Sequence, residues 1–140
     1  MTYALGWPLQ QAVYAVLAAD SALSALVADR IYDAAPHAGT AADPADVYVT
    51  LGEELARPFD TVDCHGSRID FSIAVHSGDE GYATAKSVAG AICDALIDAA
   101  LPLARGQLVG LRFLQAQAQR GRSPTRRRVT LRFRAVIIDE

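Results

Sequence analysis

One cluster of side chains in the sequence could bind a metal ion. It consists of Asp63, Cys64 and His65, with His76 or His37 as a further ligand. Zinc takes thiolate, imidazole and carboxylate ligands in proteins, usually as pairs at short and repeated spacing. Here one cysteine and one histidine are adjacent, and adjacent residues of a strand point to opposite faces. Cys64 and His65 could hardly share a metal on a strand, so we predict no metal site.

No other group of residues predicts a catalytic site. The sequence contains no nucleophile elbow, phosphate-binding loop, dinucleotide-binding glycine motif or zinc-protease motif. Cys93 lies on the apolar side of a predicted helix, which indicates a small core residue rather than a nucleophile. Glu53 and Glu54 alternate across a predicted strand and therefore do not form an acid/base pair. The residues therefore give almost no support for catalysis, and a small enzyme of unrecognised type stays open as the weakest alternative.

The arginine-rich end of the chain is the strongest chemical signal. Alternation along the last predicted strand places four arginines on one face, with a fifth from the preceding strand beside them: Arg126, Arg128, Arg132, Arg134 and Arg112. Like charges at this spacing repel each other unless something negative covers them. The sequence leaves three covers open, namely phosphate groups, an acidic surface of a neighbouring subunit, or water with salt.

Nucleic acid is one candidate for that cover. Proteins that bind nucleic acid usually interleave basic residues with aromatic side chains on which bases stack. Phe113 and Phe133 belong to the apolar faces of their strands, so the arginine face of the strand pair carries no aromatic residue. Sequence-specific recognition is therefore disfavoured, while a sequence-independent contact with phosphates stays open.

The distribution of charge divides the chain into an acidic and a basic part. The formal net charge is -3 over 140 residues. Residues 1–104 contain 14 acids and 4 bases, residues 105–138 contain 9 arginines and no acid, and two acids follow. Such asymmetry indicates contact with nucleic acid or with a partner of complementary charge.

Composition and length predict a single globular domain over residues 1–140. Hydrophobic residues make up 51% and charged residues 21%, which excludes intrinsic disorder, a collagen repeat and a coiled coil. The longest apolar run, residues 12–19, is far shorter than the roughly 20 residues of a membrane span, so we expect no membrane contact. Two cysteines are too few for a disulfide framework, which favours a reducing cytosol.

Apolar residues at a 3.6-residue period predict three helices. The first begins at Pro8, since the first helical position tolerates the missing N–H of proline. A second, short helix covers Ser21–Ala28. The third is predicted from a capping box in which Ser77 is the N-cap and Glu80 reaches back to it, and it runs to about Leu101.

Alternation of apolar and polar residues predicts the strands of one sheet. The predicted strands are Arg30–Asp33, Val47–Glu54, Arg68–His76, Leu108–Ala118 and Arg128–Ile138. The last two form a long C-terminal β-hairpin. Together these elements predict an α+β fold, a mostly antiparallel sheet with two main helices packed on one face.

Two segments without core residues, 34–46 and 119–127, are predicted loops that order on contact with a partner. The residues singled out for such contacts are His37, Asp43, Arg120, Arg122 and Arg127. An ordinary mobile surface loop is the equal alternative for both segments.

An ordered series of stretches carries a resemblance to a known family. The series begins with LQQAVYAVLAADSALSALVADRIYDAAP, continues through VYVTLGEE and RIDFSIAVHS, and ends with LVGLRFLQAQAQRGRSPTRRRVTLRFRA. From about Leu9 to Ala135 the chain resembles the small tail-completion proteins of long-tailed phages and gene transfer agents. It departs from the family in having Val47 where a proline often precedes the YVT strand, and in a longer loop before that strand.

The resemblance implies a structural tail terminator without enzymatic activity or cofactor. Such proteins are similar to the lambda tail-terminator class, whose α+β subunits form a hexameric ring. The ring caps the tail tube and offers a docking face for the connector, or stopper, protein of the head. It lies at the particle neck and is assembled in the bacterial cytoplasm. A small basic-patch nucleic-acid-binding protein, or non-specific contact with passing DNA, is the alternative that the arginines leave open.

Overall fold

A computed structural model of the chain describes residues 3–33, 47–78, 82–97, 99–120 and 127–139. The helices within these ranges are α1 (Gly6–Ala19), α2 (Ser21–Val27) and α3 (Ala83–Leu96). The strands are β1 (Ile31–Tyr32), β2 (Tyr48–Pro58), β3 (His65–Ser77), β4 (Gln107–Arg120) and β5 (Arg127–Asp139). They form one sheet in the order β1-β2-β3-β5-β4.

The sheet is antiparallel except at its short first strand. β1 runs parallel to β2, while β2–β3, β3–β5 and β5–β4 are antiparallel pairs. β4 and β5 pair from Gln107 opposite Ile138 to Arg120 opposite Arg127, which confirms the predicted C-terminal hairpin. The chain therefore has the predicted α+β fold, with β5 inside the sheet and β4 at its edge.

The core lies between the helices and one face of the sheet. β3 and β5 bury alternate residues along their whole length. The centre of this layer is Phe133, which is fully buried. Its ring stacks on Phe71 with a centroid distance of 5.5 Å and meets the edge of Phe113 at 5.7 Å. Leu9 of α1 and Ile92 of α3 are among the buried helix residues that cover the sheet.

The predicted capping box is wrong. Ser77 is the last residue of β3, pairs with Arg127 of β5 and is buried. Pairing with β5 supplies ladder hydrogen bonds to this segment, and these continue the strand where the sequence pattern predicted a helix start. α3 begins at Ala83, after Tyr82 at its N-cap, and ends at Leu96 rather than near Leu101. The other member of the predicted box, Glu80, lies outside the described residues.

Gly66 provides a test of the packing at the start of β3. A Cβ atom on Gly66 would stand 2.7 Å from the carbonyl oxygens of both Phe59 and Ile137. Because both oxygens belong to the backbone, we expect Gly66→Ala to lower the free energy of unfolding by about 3 kcal/mol. Urea denaturation measures this change.

Gly90 of α3 offers the matched control. A Cβ atom there meets no atom within 4 Å. Alanine is favoured over glycine in a helix by about 1 kcal/mol, so Gly90→Ala should stabilise the chain. Urea midpoints that move in the same direction for both variants would contradict this account of the two positions.

Candidate interaction face of the sheet

The face of the sheet that points away from the helices carries the predicted arginine row. The odd-numbered residues of β5 from Val129 to Ile137 are buried, so Arg128, Arg132 and Arg134 lie on the opposite face. Arg112 of β4 pairs with Arg134 and belongs to the same face. We call this helix-free side of β2, β3, β4 and β5 the open face. Arg126 lies outside the described residues.

The open face is strongly basic in the part of the chain that the structure describes. The strand registers place two acidic and six basic side chains on it: Glu53, Asp70, Arg57, Arg68, Arg112, Arg128, Arg132 and Arg134. Most of the described acids in residues 1–104 therefore lie outside the open face. Acidic and basic residues that are separated along the sequence are thus separated in the fold as well, with the basic residues concentrated on the open face.

Arg134 has an acidic partner within the chain. Its Nε donates to Oδ1 of Asp70 at 2.7 Å, and its Nη2 donates to Oδ2 at 3.0 Å. This two-pronged geometry is the strong form of the arginine–carboxylate pair. The hydrogen bond from Arg134 lowers the pKa of Asp70 below its ordinary value. Asp70 of the same chain therefore covers Arg134, a possibility that was not among the three covers left open by the sequence.

Arg128 lies at the end of the open face, beside aromatic side chains that the pattern of the last two strands does not predict. With its amide oxygen turned toward Arg128, Gln119 accepts a hydrogen bond from Nε at 3.2 Å. The register places Arg128 opposite His76, whose ring stacks on Tyr48 at a centroid distance of 4.6 Å. Thr50 Oγ1 lies 3.0 Å from His76 Nε2. The aromatic rings come from β2 and β3 and not from the strands that carry the arginine row.

Arg132 and Arg112 differ from the other two arginines of the row. Both side chains are exposed, and neither forms an ion pair with any described residue. Arg132 pairs in register with Ser72 of β3 and Gln115 of β4, so no carboxylate stands directly opposite it. Arg132 is therefore the member of the row best placed to contact an acidic partner.

Two of the residues predicted in the second loop belong instead to strands β4 and β5 and lie on the other face of the sheet. Arg120 and Arg127 pair with each other at the end of the hairpin, on the side of the helices. The guanidinium of Arg127 lies 5.7 Å from the centre of the Tyr82 ring. The other predicted loop contacts, His37, Asp43 and Arg122, lie outside the described residues.

Cys64 and Cys93 lie in separate parts of the fold, and Glu53 and Glu54 point to opposite faces of β2. Cys64 lies between β2 and β3, where its N–H donates to the hydroxyl of Thr61 at 3.1 Å. Cys93 is half-buried on α3, and its burial raises the pKa of the thiol. The described residues hold no group of three potential metal ligands. Their helices also lack the length and apolarity that crossing a membrane requires.

The pair of Asp70 and Arg134 predicts a defined acid sensitivity. The folded state lowers the pKa of Asp70, so the pair stabilises the fold above the ordinary aspartate pKa of about 3.9 and loses this effect as the pH falls below it. Asp70→Asn should be less stable than the parent chain at pH 7, and the difference should shrink below about pH 4. Urea midpoints between pH 7 and pH 2 measure the difference.

Asp94→Asn is the control for this pH dependence. Asp94 is an exposed acid on α3 and forms no ion pair with a described residue. The variant should keep the pH profile of the parent chain. A stability difference for Asp70→Asn that stays constant down to pH 2 would contradict the role assigned to the pair.

Comparison with known proteins shows which family and which solved structure this chain is similar to. The family model described as tail completion protein gp17 matches residues 11–138. A chain in a solved structure, described as the virion of a native gene transfer agent particle, is similar to this one. The two share 43% sequence identity with a TM-score of 0.88, covering 98% of this chain and 99% of that chain. No curated protein matches the chain.

Proposed function

Because the chain belongs to the tail completion protein gp17 family, we propose that it forms a ring that caps the tail tube of a phage-like particle or gene transfer agent. The same ring joins the tube to the connector of the head. The likeness to a chain of a gene transfer agent virion, at 43% identity over nearly the whole length, carries this proposal. The role is structural and involves no catalysis.

The proposed partners follow from this role. They are five further copies in a hexameric ring, the tail tube protein on one side and the head connector or stopper protein on the other. The ring occupies the neck of the particle and assembles in the bacterial cytoplasm. A closed ring requires two different surfaces on each subunit that fit each other. The difference between the open face and the acidic remainder of the described chain supports this arrangement.

The open face is the proposed contact with an acidic partner. Arg112 and Arg132 are exposed and form no ion pair with a described residue. Arg134 already forms an ion pair with Asp70. Its charge is therefore largely neutralised within the chain and adds less to the attraction of an acidic partner. We assign the partner acids to the adjacent subunit or to a tail protein that covers this face.

Electron microscopy of particles from a producing strain with this gene deleted tests the proposed function. Overlong tubes, or tails detached from filled heads, are the expected result, and a plasmid copy of the gene should restore joined particles. Normal joined particles in the deletion strain would overturn the proposal.

Binding to nucleic acid is the second candidate, and one observation favours it. The six arginines of the open face outnumber its acids, and the stacked rings of Tyr48 and His76 lie beside Arg128. Fluorescence titration with random duplex DNA tests this candidate. Affinity that falls steeply as salt rises would support it. Absence of binding at low salt would leave the proteins of the particle as partners of the open face.

A further inference from the structure

Helix α1 has an unusual composition for a helix at the surface of a single chain. Its 14 residues contain no charged side chain. A helix at the surface of a globular domain typically carries charged and polar residues on its outer side. Yet Trp7 and Tyr14, two helical turns apart on one side, are 61% and 46% exposed. We call Trp7, the exposed Gln11 and Tyr14 the aromatic stripe.

A groove of about 380 Å³ lies on the helix side of the sheet between α3 and the hairpin of β4 and β5. It exists because α3 packs over β3 and β5 and leaves the edge strand β4 uncovered. Its lining includes Ala89, Gly90 and Cys93 from α3 and Phe113, Ala116 and Ala118 from β4. Small residues on both walls leave room for large side chains from outside.

The aromatic stripe and the groove are complementary in charge as well as size. Lys86 lines the groove and Arg127 lies close by, since both cations approach the ring of Tyr82. Beside the stripe, the carboxylate of Glu54 accepts a hydrogen bond from the hydroxyl of Tyr3. Glu54 also lies beside Gly6, the residue before Trp7. When the aromatic stripe of one copy enters the groove of another, Lys86 and Arg127 at the groove therefore face the acidic Glu54 beside the stripe.

The two surfaces lie toward opposite edges of the sheet. α1 packs on β2, on the side of β1, whereas β4 forms the other edge. One copy therefore cannot bring its own stripe into its own groove. Contact between two different surfaces on opposite sides of a subunit builds rings or filaments.

We propose that the aromatic stripe of one copy docks into the groove of the next and forms the lateral contact of the ring. This inference rests on the proposed function, because it names the surfaces by which the ring closes. With the adjacent subunit docked at the groove, the open face is left to a tail protein, the other of the two partners proposed for it.

Cross-linking in assembled particles tests the contact. Gln11→Cys keeps both aromatic residues and places a thiol between them, while Cys93 supplies a native thiol in the groove. Cys64→Ser removes the other cysteine. Particles that carry Gln11→Cys and Cys64→Ser, treated with a short bismaleimide, should yield dimers and higher multimers of this chain. Adding Cys93→Ser should abolish these products, and Ser24→Cys on α2 in place of Gln11→Cys should not form them.

The products of cross-linking decide between the occupants of the groove. Joined particles without cross-linked multimers would overturn the proposal, and so would a product that links this chain to a tube or connector protein instead of to itself. The proposed function would survive either result. Multimers linked through Cys93, together with normal particles in the deletion strain, would establish the contact and overturn the proposed function.

Filling the groove provides a second test with a stable variant. Gly90 lines the groove and a Cβ atom there meets nothing within 4 Å, so the side chain of Gly90→Leu starts in open space and adds bulk to the groove. The yield of joined particles should fall at least about tenfold while the unfolding temperature does not fall. Ser87→Leu makes a comparable addition at an exposed position of α3 outside the groove lining, and its yield should stay normal. Normal yield for Gly90→Leu would overturn the proposal.

Discussion

Reversing the charge of Arg132 to glutamate should lower the yield of joined, tailed particles roughly 30-fold or more without changing the unfolding temperature of the chain. Arg132 is exposed and forms no ion pair with a described residue, so its replacement removes no known contact within the fold. Breaking a buried charge pair at a protein interface costs about 2–5 kcal/mol of binding free energy. The lower value corresponds to a roughly 30-fold loss of affinity for the partner, and we expect the particle yield to fall with it. Particle counts by electron microscopy and thermal unfolding of the purified chain measure the two effects.

Arg57→Glu is the control for this charge reversal. Arg57 is an exposed arginine on β2, on the same open face but outside the arginine row. The reversal changes the net charge of the chain by the same amount, so equal losses for both variants would indicate a general electrostatic effect. Normal yield for Arg132→Glu would contradict the assignment of the row to a partner.

Arg134 is unsuitable for the same experiment. Arg134→Glu would place two carboxylates side by side, because Asp70 accepts both hydrogen bonds of the present guanidinium. The variant should unfold more easily whether or not the open face binds a partner. Arg132 has no such partner among the described residues, so its reversal separates assembly from stability.

The sequence predicts the faces of β3 and β5 because each strand is buried on one side only. Apolar residues must then occur at every second position. The same reasoning fails at Ser77, where a good helix-start pattern follows the strand directly. Pairing with Arg127 continues β3 through that residue. Backbone pairing between distant segments outweighs a local signal, and local signals are all that a single sequence displays.

The candidate surfaces are predicted only in part for a related reason. A period of two residues suffices to place Arg128, Arg132 and Arg134 on one face. The partner of Arg134 is 64 residues away, and its position depends on the register between β3 and β5. Likewise, periodicity predicts helix α1 but does not indicate that Trp7 stays exposed, since this depends on which elements cover the helix. Register and coverage are properties of the folded chain.

Replacing Phe133 by alanine should produce the largest loss of stability among the changes considered. Phe133 is fully buried between Phe71 and Phe113. Removing a buried phenylalanine ring in a close-packed core costs about 3–5 kcal/mol. A chain of this size has roughly 5–15 kcal/mol of total stability, so the variant should unfold at a markedly lower temperature. Calorimetry or circular dichroism during heating measures the shift.

Phe113→Ala makes the same chemical change on a ring that contacts Phe133 but is 40% exposed and lines the groove. Its loss should cost only about 1 kcal/mol of stability. If the groove holds the stripe of the next copy, the same variant should still assemble poorly, because an aromatic wall of the docking site is gone. Phe133→Ala should therefore lose more stability than Phe113→Ala. Among the molecules that do fold, Phe113→Ala should show the larger loss of assembly. Equal destabilisation by both would mean that the ring of Phe113 is as deeply packed as Phe133, and that the groove is part of the core rather than a surface.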